Sequence, residues 1–204
     1  MKTTVKVCGM KDPKLIDTAI KNGASYIGFI VNYPKSPRSI SINELQNLTK
    51  QIPIHIKKVA VMVNPKIEEV KEISNYCNVI QLHGDETENF IQQIKKETRL
   101  EVIKTIKVKE KKDLELSKLF PSSDIILFDT PSMGEDGEAF NFDLVKDLKN
   151  KKFFLAGKIS KDNVKSVLRY TNNIDVNSSL ETERGIKDPE KIIEFFLILK
   201  KYER

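Results

Sequence analysis

The chain has 204 residues, enough for one large domain or two small ones. Its 39% hydrophobic and 31% charged residues fit a soluble globular protein, and no apolar run approaches the roughly 18 residues a membrane span needs. The formal charge of +6 comes from lysines interleaved with glutamates, as in KETRLEVIKTIKVKEKKDLE, which reads as a solvated surface and argues against a nucleic-acid partner.

In chain order, the first element is TVKVC (4–8), a β-branched run that ends on Cys8 and Gly9. Asp12-Pro13 follows at once, an N-cap with proline at the first helical position. SYIGFIV (25–31) is the second strand, and Ser41 with Glu44 has capping-box spacing for the next helix. KKVAVMV (57–63) leads to Asn64-Pro65, and NVIQLH (78–83) leads to Asp85 with Glu88, both read as helix starts. EVIKTI (101–106) is followed by a weak helix signal near 110–119. DIILFD (124–129) precedes a start at Asn141, KFFLAG (152–157) one at Ser160, and NIDVNS (173–178) a third cap-plus-proline, Asp188-Pro189. Such apolar strands are buried on both faces, as in a parallel sheet. Eight βα units with no linker between them predict an α/β fold, a (β/α)8 TIM barrel in a single domain over 1–204. The alternative is an open doubly wound sheet, whose dinucleotide-binding version is weakened by the lack of G-x-G-x-x-G after the first strand.

In a barrel the chemistry sits where strands end. Cys8 ends the first, Asn32 to Arg38 follow the second, and Gln81 and His83 end the fourth. Asp129 ends the sixth, Gly157-Lys158 follow the seventh, and Asn177-Ser178-Ser179 end the eighth. Lys6 shares the strand parity of Cys8, and an ammonium beside a thiol favours the thiolate. Asp129 closes the apolar run IILF, a costly place for a carboxylate unless it caps the following turn. Arg38 follows two loop-stiffening prolines in YPKSPR, able to hold a carboxylate bidentately or to stand in solvent. His83 is open between a pocket residue and a satisfied strand end. Cys77 precedes the fourth strand at the far end of the barrel and reads as a structural thiol. The two cysteines and the N-terminal MKTTVKVCGM, which has no long apolar stretch, point to free thiols and a cytoplasmic location. No His/Cys cluster suggests a metal.

The chain resembles the phosphoribosylanthranilate isomerases of tryptophan biosynthesis. KVCG is similar to that family's K-I-C-G, and NGASYIGFIVNYPKSPRSIS to its G-A-D-x-x-G-F-x-F-x-x-x-S-x-R segment. VAVMVN, VIQLHGDE, ILFDT, LAGKISKDNV and IDVNSSLETERGIKD resemble five further motifs, in order, over about Lys6 to Ile192. The resemblance implies an Amadori rearrangement of an aminoaldose to an aminoketose without a cofactor, on a small phosphosugar substrate, in a monomer or homodimer. It also implies Cys8 as general base, Asp129 as general acid and Arg38 on the anthranilate carboxylate. Gln81, His83, Gly157, Lys158, Asp175, Ser178 and Ser179 are the implied substrate contacts.

Three positions depart from the pattern: Lys158 replaces the second glycine of a Gly-Gly pair, the family's Ser-Ser-Gly becomes Ser178-Ser179 after Asn177, and Glu138 stands where a basic residue is common. Lysine does not replace glycine easily where the backbone must approach a phosphate. The Lys158 amide can donate if its φ stays negative, with its ammonium then folded over the phosphate or pointing into solvent, the first being the expectation. The rival readings are a histidine-pathway isomerase or a bifunctional barrel serving both pathways, either of which would carry aspartate in place of Cys8, and a non-enzymatic phosphosugar-binding barrel.

Overall fold

The structure, a computed structural model, describes residues 3–131, 139–148 and 152–203. Its main sheet has eight parallel strands that form the barrel wall: β1 (Thr4–Val7), β2 (Tyr26–Val31), β3 (Lys57–Met62), β4 (Val79–Leu82), β5 (Glu101–Lys107), β6 (Ile125–Asp129), β7 (Phe153–Leu155) and β8 (Asn173–Val176). Each pairs with its neighbours in sequence. The first strand pairs on one side with β8, Lys6 opposite Asp175, and on the other with β2, Lys6 opposite Tyr26. The sheet is therefore closed, and the doubly wound alternative is ruled out. All eight expected strands are present, though several end early because the chain turns away into its loop.

The chain also pairs where no strand was expected. Ser39–Ile40 extends beside Ile30 and Val31, and Glu181–Glu183 forms a small antiparallel ribbon with Ile186–Lys187. Both lie at the rim that carries the site.

Helix starts follow local chemistry where a short side chain faces free amides. Asp12 accepts from the N–H of Lys14 (2.7 Å) and opens α1 (Pro13–Asn22). Ser41 and Glu44 form the expected capping box of α2 (Ile42–Thr49), and Asp188 opens α6 (Pro189–Lys200).

Three starts differ from expectation. The third helix, α3 (Ile67–Ile73), begins beyond Asn64-Pro65, and Glu69 accepts from the amide of Lys66 instead. Asn64 is left-handed (φ 48°) and accepts from the Asp85 amide at 2.8 Å, so both residues join loops rather than cap helices. Thr87 caps α4 (Glu88–Glu97). Ser160 opens only a turn, and the brief α5 (Val164–Val167) starts after Asn163. Among the described residues three segments tighten to 3₁₀ geometry: Lys111–Leu119, where the helix signal was weak, Phe142–Val145, opened by Asn141, and the single turn Ser178–Leu180.

Strand alternation sorts side chains into two cores. Ile27, Ile80, Leu82, Phe128 and Ile174 point outward to the helices. Tyr26, Val59, Val79, Ile103, Leu127 and Phe154 fill the interior, with Tyr26 and Phe154 edge to face at 5.2 Å. No described helix is long and apolar enough to cross a membrane.

Candidate active site

At the C-terminal ends of the strands lies a cavity of about 340 Å³. Nine of the ten expected site residues line it, five on strands or at their ends (Cys8, Gln81, His83, Asp129, Asp175) and four on loops (Arg38, Gly157, Lys158, Ser178). The tenth, Ser179, does not. Its hydroxyl donates to the carbonyl of Ile159 at 2.6 Å and ties together the loops after β7 and β8. Glu138 lies outside the described residues. Among the described residues no three His, Cys, Asp or Glu side chains gather as metal ligands.

The run KVCG places Lys6 and Cys8 on the inner face and turns the chain at Gly9. Cys8 still continues the sheet, donating its amide to Val176 at 2.9 Å. Gly9 has φ +72°, and a Cβ there would stand 2.7 Å from the Arg38 Cδ, so the turn needs glycine both for its backbone and for Arg38 to pass. Gly28 across the ladder has a similar reason: a Cβ would stand 2.9 Å from the Cys8 sulfur.

Lys6 is fully buried and donates to the Asp175 carboxylate at 2.7 Å. Burial works against its charge, but Asp175 and then Cys8 hold the ammonium above its usual range. Burial pushes the Cys8 thiol up, against the pull of Lys6. Cys77, at the opposite end of the barrel, has only burial to speak of and its thiol is pushed up to about 12.

Asp129 ends β6 inside the barrel. Burial, and next the negative charge of Asp175, raise its carboxyl to about 7, although the Thr130 N–H donates to it at 2.8 Å. His83 faces it, Nε2 standing 3.7 Å from Oδ2. Burial, and then Lys6, Lys107 and Lys104, lower the imidazole to about 3, so it is neutral. The Gln81 amide nitrogen lies 3.3 Å from His83 Nδ1 and can only donate. That fixes the ring proton on Nε2, which is buried without a hydrogen-bond partner, as is Asp175 Oδ1. Both residues line the cavity, so these atoms can bond whatever enters it.

Arg38 is buried and already engaged. Its Nε and one Nη donate to the two oxygens of Glu181, each at 2.7 Å. Lys187 donates to the same carboxylate at 2.6 Å. Burial opposes the Glu181 charge, yet the Arg38 hydrogen bonds and the Lys187 charge hold it at about 2. Neither Glu181 nor Lys187 was anticipated from sequence. Both belong to the similar motif after the eighth strand, but their pairing depends on the unexpected ribbon.

Lys158 does not keep the negative φ on which donation by its amide was conditioned. It is left-handed, φ 54°, directly after left-handed Gly157. The chain keeps the glycine conformation here and makes the lysine adopt it, at an expected cost of about 1 kcal/mol. Asn163 helps by donating to the Lys158 carbonyl at 2.9 Å.

Comparison with known proteins covers nearly the whole chain. The family model described as N-(5'-phosphoribosyl)anthranilate (PRA) isomerase matches residues 5–197. A relative of that name from Sulfurihydrogenibium sp. is 35% identical, over 96% of this chain and 98% of its own. One from Streptococcus mutans is 36% identical over 98% and 100%. Among solved structures, the phosphoribosyl anthranilate isomerase of Thermotoga maritima matches with a TM-score of 0.88 at 29% identity, covering 98% of this chain and 99% of that one. Another of that name, solved with reduced 1-(o-carboxyphenylamino)-1-deoxyribulose 5-phosphate, matches with a TM-score of 0.86 at 28% identity over the same shares.

Proposed function

The chain belongs to the N-(5'-phosphoribosyl)anthranilate isomerase family of tryptophan biosynthesis, and from that premise we propose that Asp129 is its general acid and Cys8 its general base. Asp129 gives a proton to the furanose ring oxygen as the bond from that oxygen to C1 breaks and the aniline nitrogen becomes an iminium. The Cys8 thiolate then takes the proton from C2, whose bonding electrons neutralise the iminium. The resulting enolamine becomes the aminoketose. The observation that carries this assignment is a carboxyl at about 7 on the cavity wall, able to hold its proton near neutral pH.

The two groups share one proton in the working state, and the productive arrangement has it on Asp129. Burial favours the thiol instead, so the productive arrangement is a minority of a constant total. kcat/KM is therefore expected to be flat from about pH 7 up to the raised pKa of the Cys8 thiol, above which the shared proton is lost and the rate falls. Below about pH 7, Asp129 gains a proton while Cys8 keeps its own, no thiolate remains, and the rate falls about tenfold per pH unit. A profile followed by loss of substrate fluorescence checks this, and a flat course down to about pH 5 would remove Asp129 from the pair.

The outer edge of Arg38 takes the anthranilate carboxylate. Its Nη1 makes no hydrogen bond among the described residues, so two N–H groups remain for a planar anion beyond those held by Glu181. The His83 N–H and Asp175 Oδ1 take sugar hydroxyls.

The phosphate sits by Gly157, Lys158 and Ser178, at the loops after β7 and β8. If the Lys158 ammonium contributes, Lys158→Gly is expected to weaken binding of inorganic phosphate severalfold at low salt and less at high salt. Its stability should stay within about 1 kcal/mol, because relieved strain offsets the greater freedom of the unfolded chain. Equal phosphate affinity at low salt would leave the amides alone as the grip.

A further inference from the structure

Arg38 has to attract a carboxylate while already holding one. Alone, the Arg38–Glu181 pair would be neutral, and an incoming anion would meet the Glu181 charge across a single guanidinium. The third member of the cluster removes this difficulty. The ribbon after β8 sets Lys187 directly opposite Glu181, and the ammonium donates to Glu181 Oε1 at 2.6 Å. Its other two acceptors are the backbone and side-chain oxygens of Asn177, at 3.1 and 2.6 Å. Three protons meet three acceptors, so nothing on Lys187 is left to touch a substrate, and it does not line the cavity. Asn177 does line it. Arg38, Glu181 and Lys187 are all nearly excluded from water, side chains no more than 4% exposed, so salt screens their charges weakly.

We infer that Lys187 is a positioning residue for the substrate's carboxylate, offsetting Glu181 so that this residue can orient Arg38 without cancelling its pull on a second anion. The cluster carries two positive charges and one negative, and the net positive charge is presented through the open edge of Arg38. This rests on the reading that Arg38 takes the anthranilate carboxylate.

Two probes separate the ideas: the reduced product, and the same compound made without its ring carboxylate. Affinity for each is measured on the full chain by calorimetry. Arg38→Ala tests the underlying reading, and a similar loss on both probes would overturn that reading. Lys187→Met tests the inference. It is expected to weaken the carboxylated probe about tenfold or more and the other less than about twofold. Adding Glu181→Gln to Lys187→Met removes the uncompensated anion and should recover most of the lost affinity, which a merely collapsed loop would not do. An equal loss on both probes, no loss on either, or no recovery in the double variant would overturn the inference. Should Lys187→Met fail to fold, Lys187→Gln keeps a donor for Asn177, and the same split and the same recovery are required of it.

Discussion

Cys8→Ala and Asp129→Asn are each expected to lower kcat by roughly a hundredfold to ten-thousandfold while the barrel remains folded. Both changes are small in volume, and the carboxamide oxygen of the second variant can still accept from the Thr130 amide that now donates to Asp129 at 2.8 Å. The two should part company in stability. The folded carboxyl of Asp129 keeps its proton up to about 7, well above its ordinary 3.8. Between those values the folded state binds more protons than the unfolded one, so stability falls as pH rises through the window. Asp129→Asn carries no such slope. At pH 8 it should be more stable than the parent by on the order of 3 kcal/mol, and at pH 4 by about nothing. Denaturant unfolding at the two pH values checks the sign. Turnover within about threefold of the parent for either variant would end that residue's assignment.

Lys6→Met should be the most damaging single change to the fold. Lys6 is wholly buried, and its removal leaves the buried Asp175 carboxylate without its hydrogen-bonded cation. Breaking a buried pair from one side costs about 3–5 kcal/mol. The remaining carboxyl then protonates more readily in the folded chain than in the unfolded one. The loss is therefore greatest above its raised pKa and smallest in acid. Asp175→Asn added to Lys6→Met should recover much of the stability. The cation that favours the Cys8 thiolate is gone as well, so alkylation of that thiol should move to higher pH. An unfolding free energy within about 1 kcal/mol of the parent at pH 8 would contradict the pair's importance.

The barrel was legible because its signals are local and repeated. Eight β-branched runs with inward and outward parity leave few arrangements, and Asp12 and Asp188 cap because the proline after each fixes the first helical φ. Asn64 has the same local look and fails. A long-range partner decides there: the buried Glu86 carboxylate accepts from the Asn64 amide at 2.8 Å, while Lys104 donates to it at 2.8 Å. Asp85 lost to Thr87, two residues on, where either could have served. In the site, parity alone aligned Lys6 with Cys8 and Gln81 with His83. Ser179 could not be separated from Ser178 by sequence, since a single 3₁₀ turn sends one hydroxyl to the cavity and the other to Ile159. Glu181 and Lys187 were missed because their meaning depends on a ribbon too short to leave a period-two pattern.

The closure of the barrel has a consequence for the order in which the protein is made. Lys6 leaves the ribosome 169 residues ahead of the carboxylate that neutralises it. Until β8 emerges, an ammonium at the centre of the first strand has no counter-charge, and sealing it inside a growing sheet would carry a large desolvation penalty. The nascent chain is thus kept from closing early. An incomplete barrel must leave its first strand wet, and with it the thiol at Cys8, so the reactive centre is assembled only when the last strand arrives.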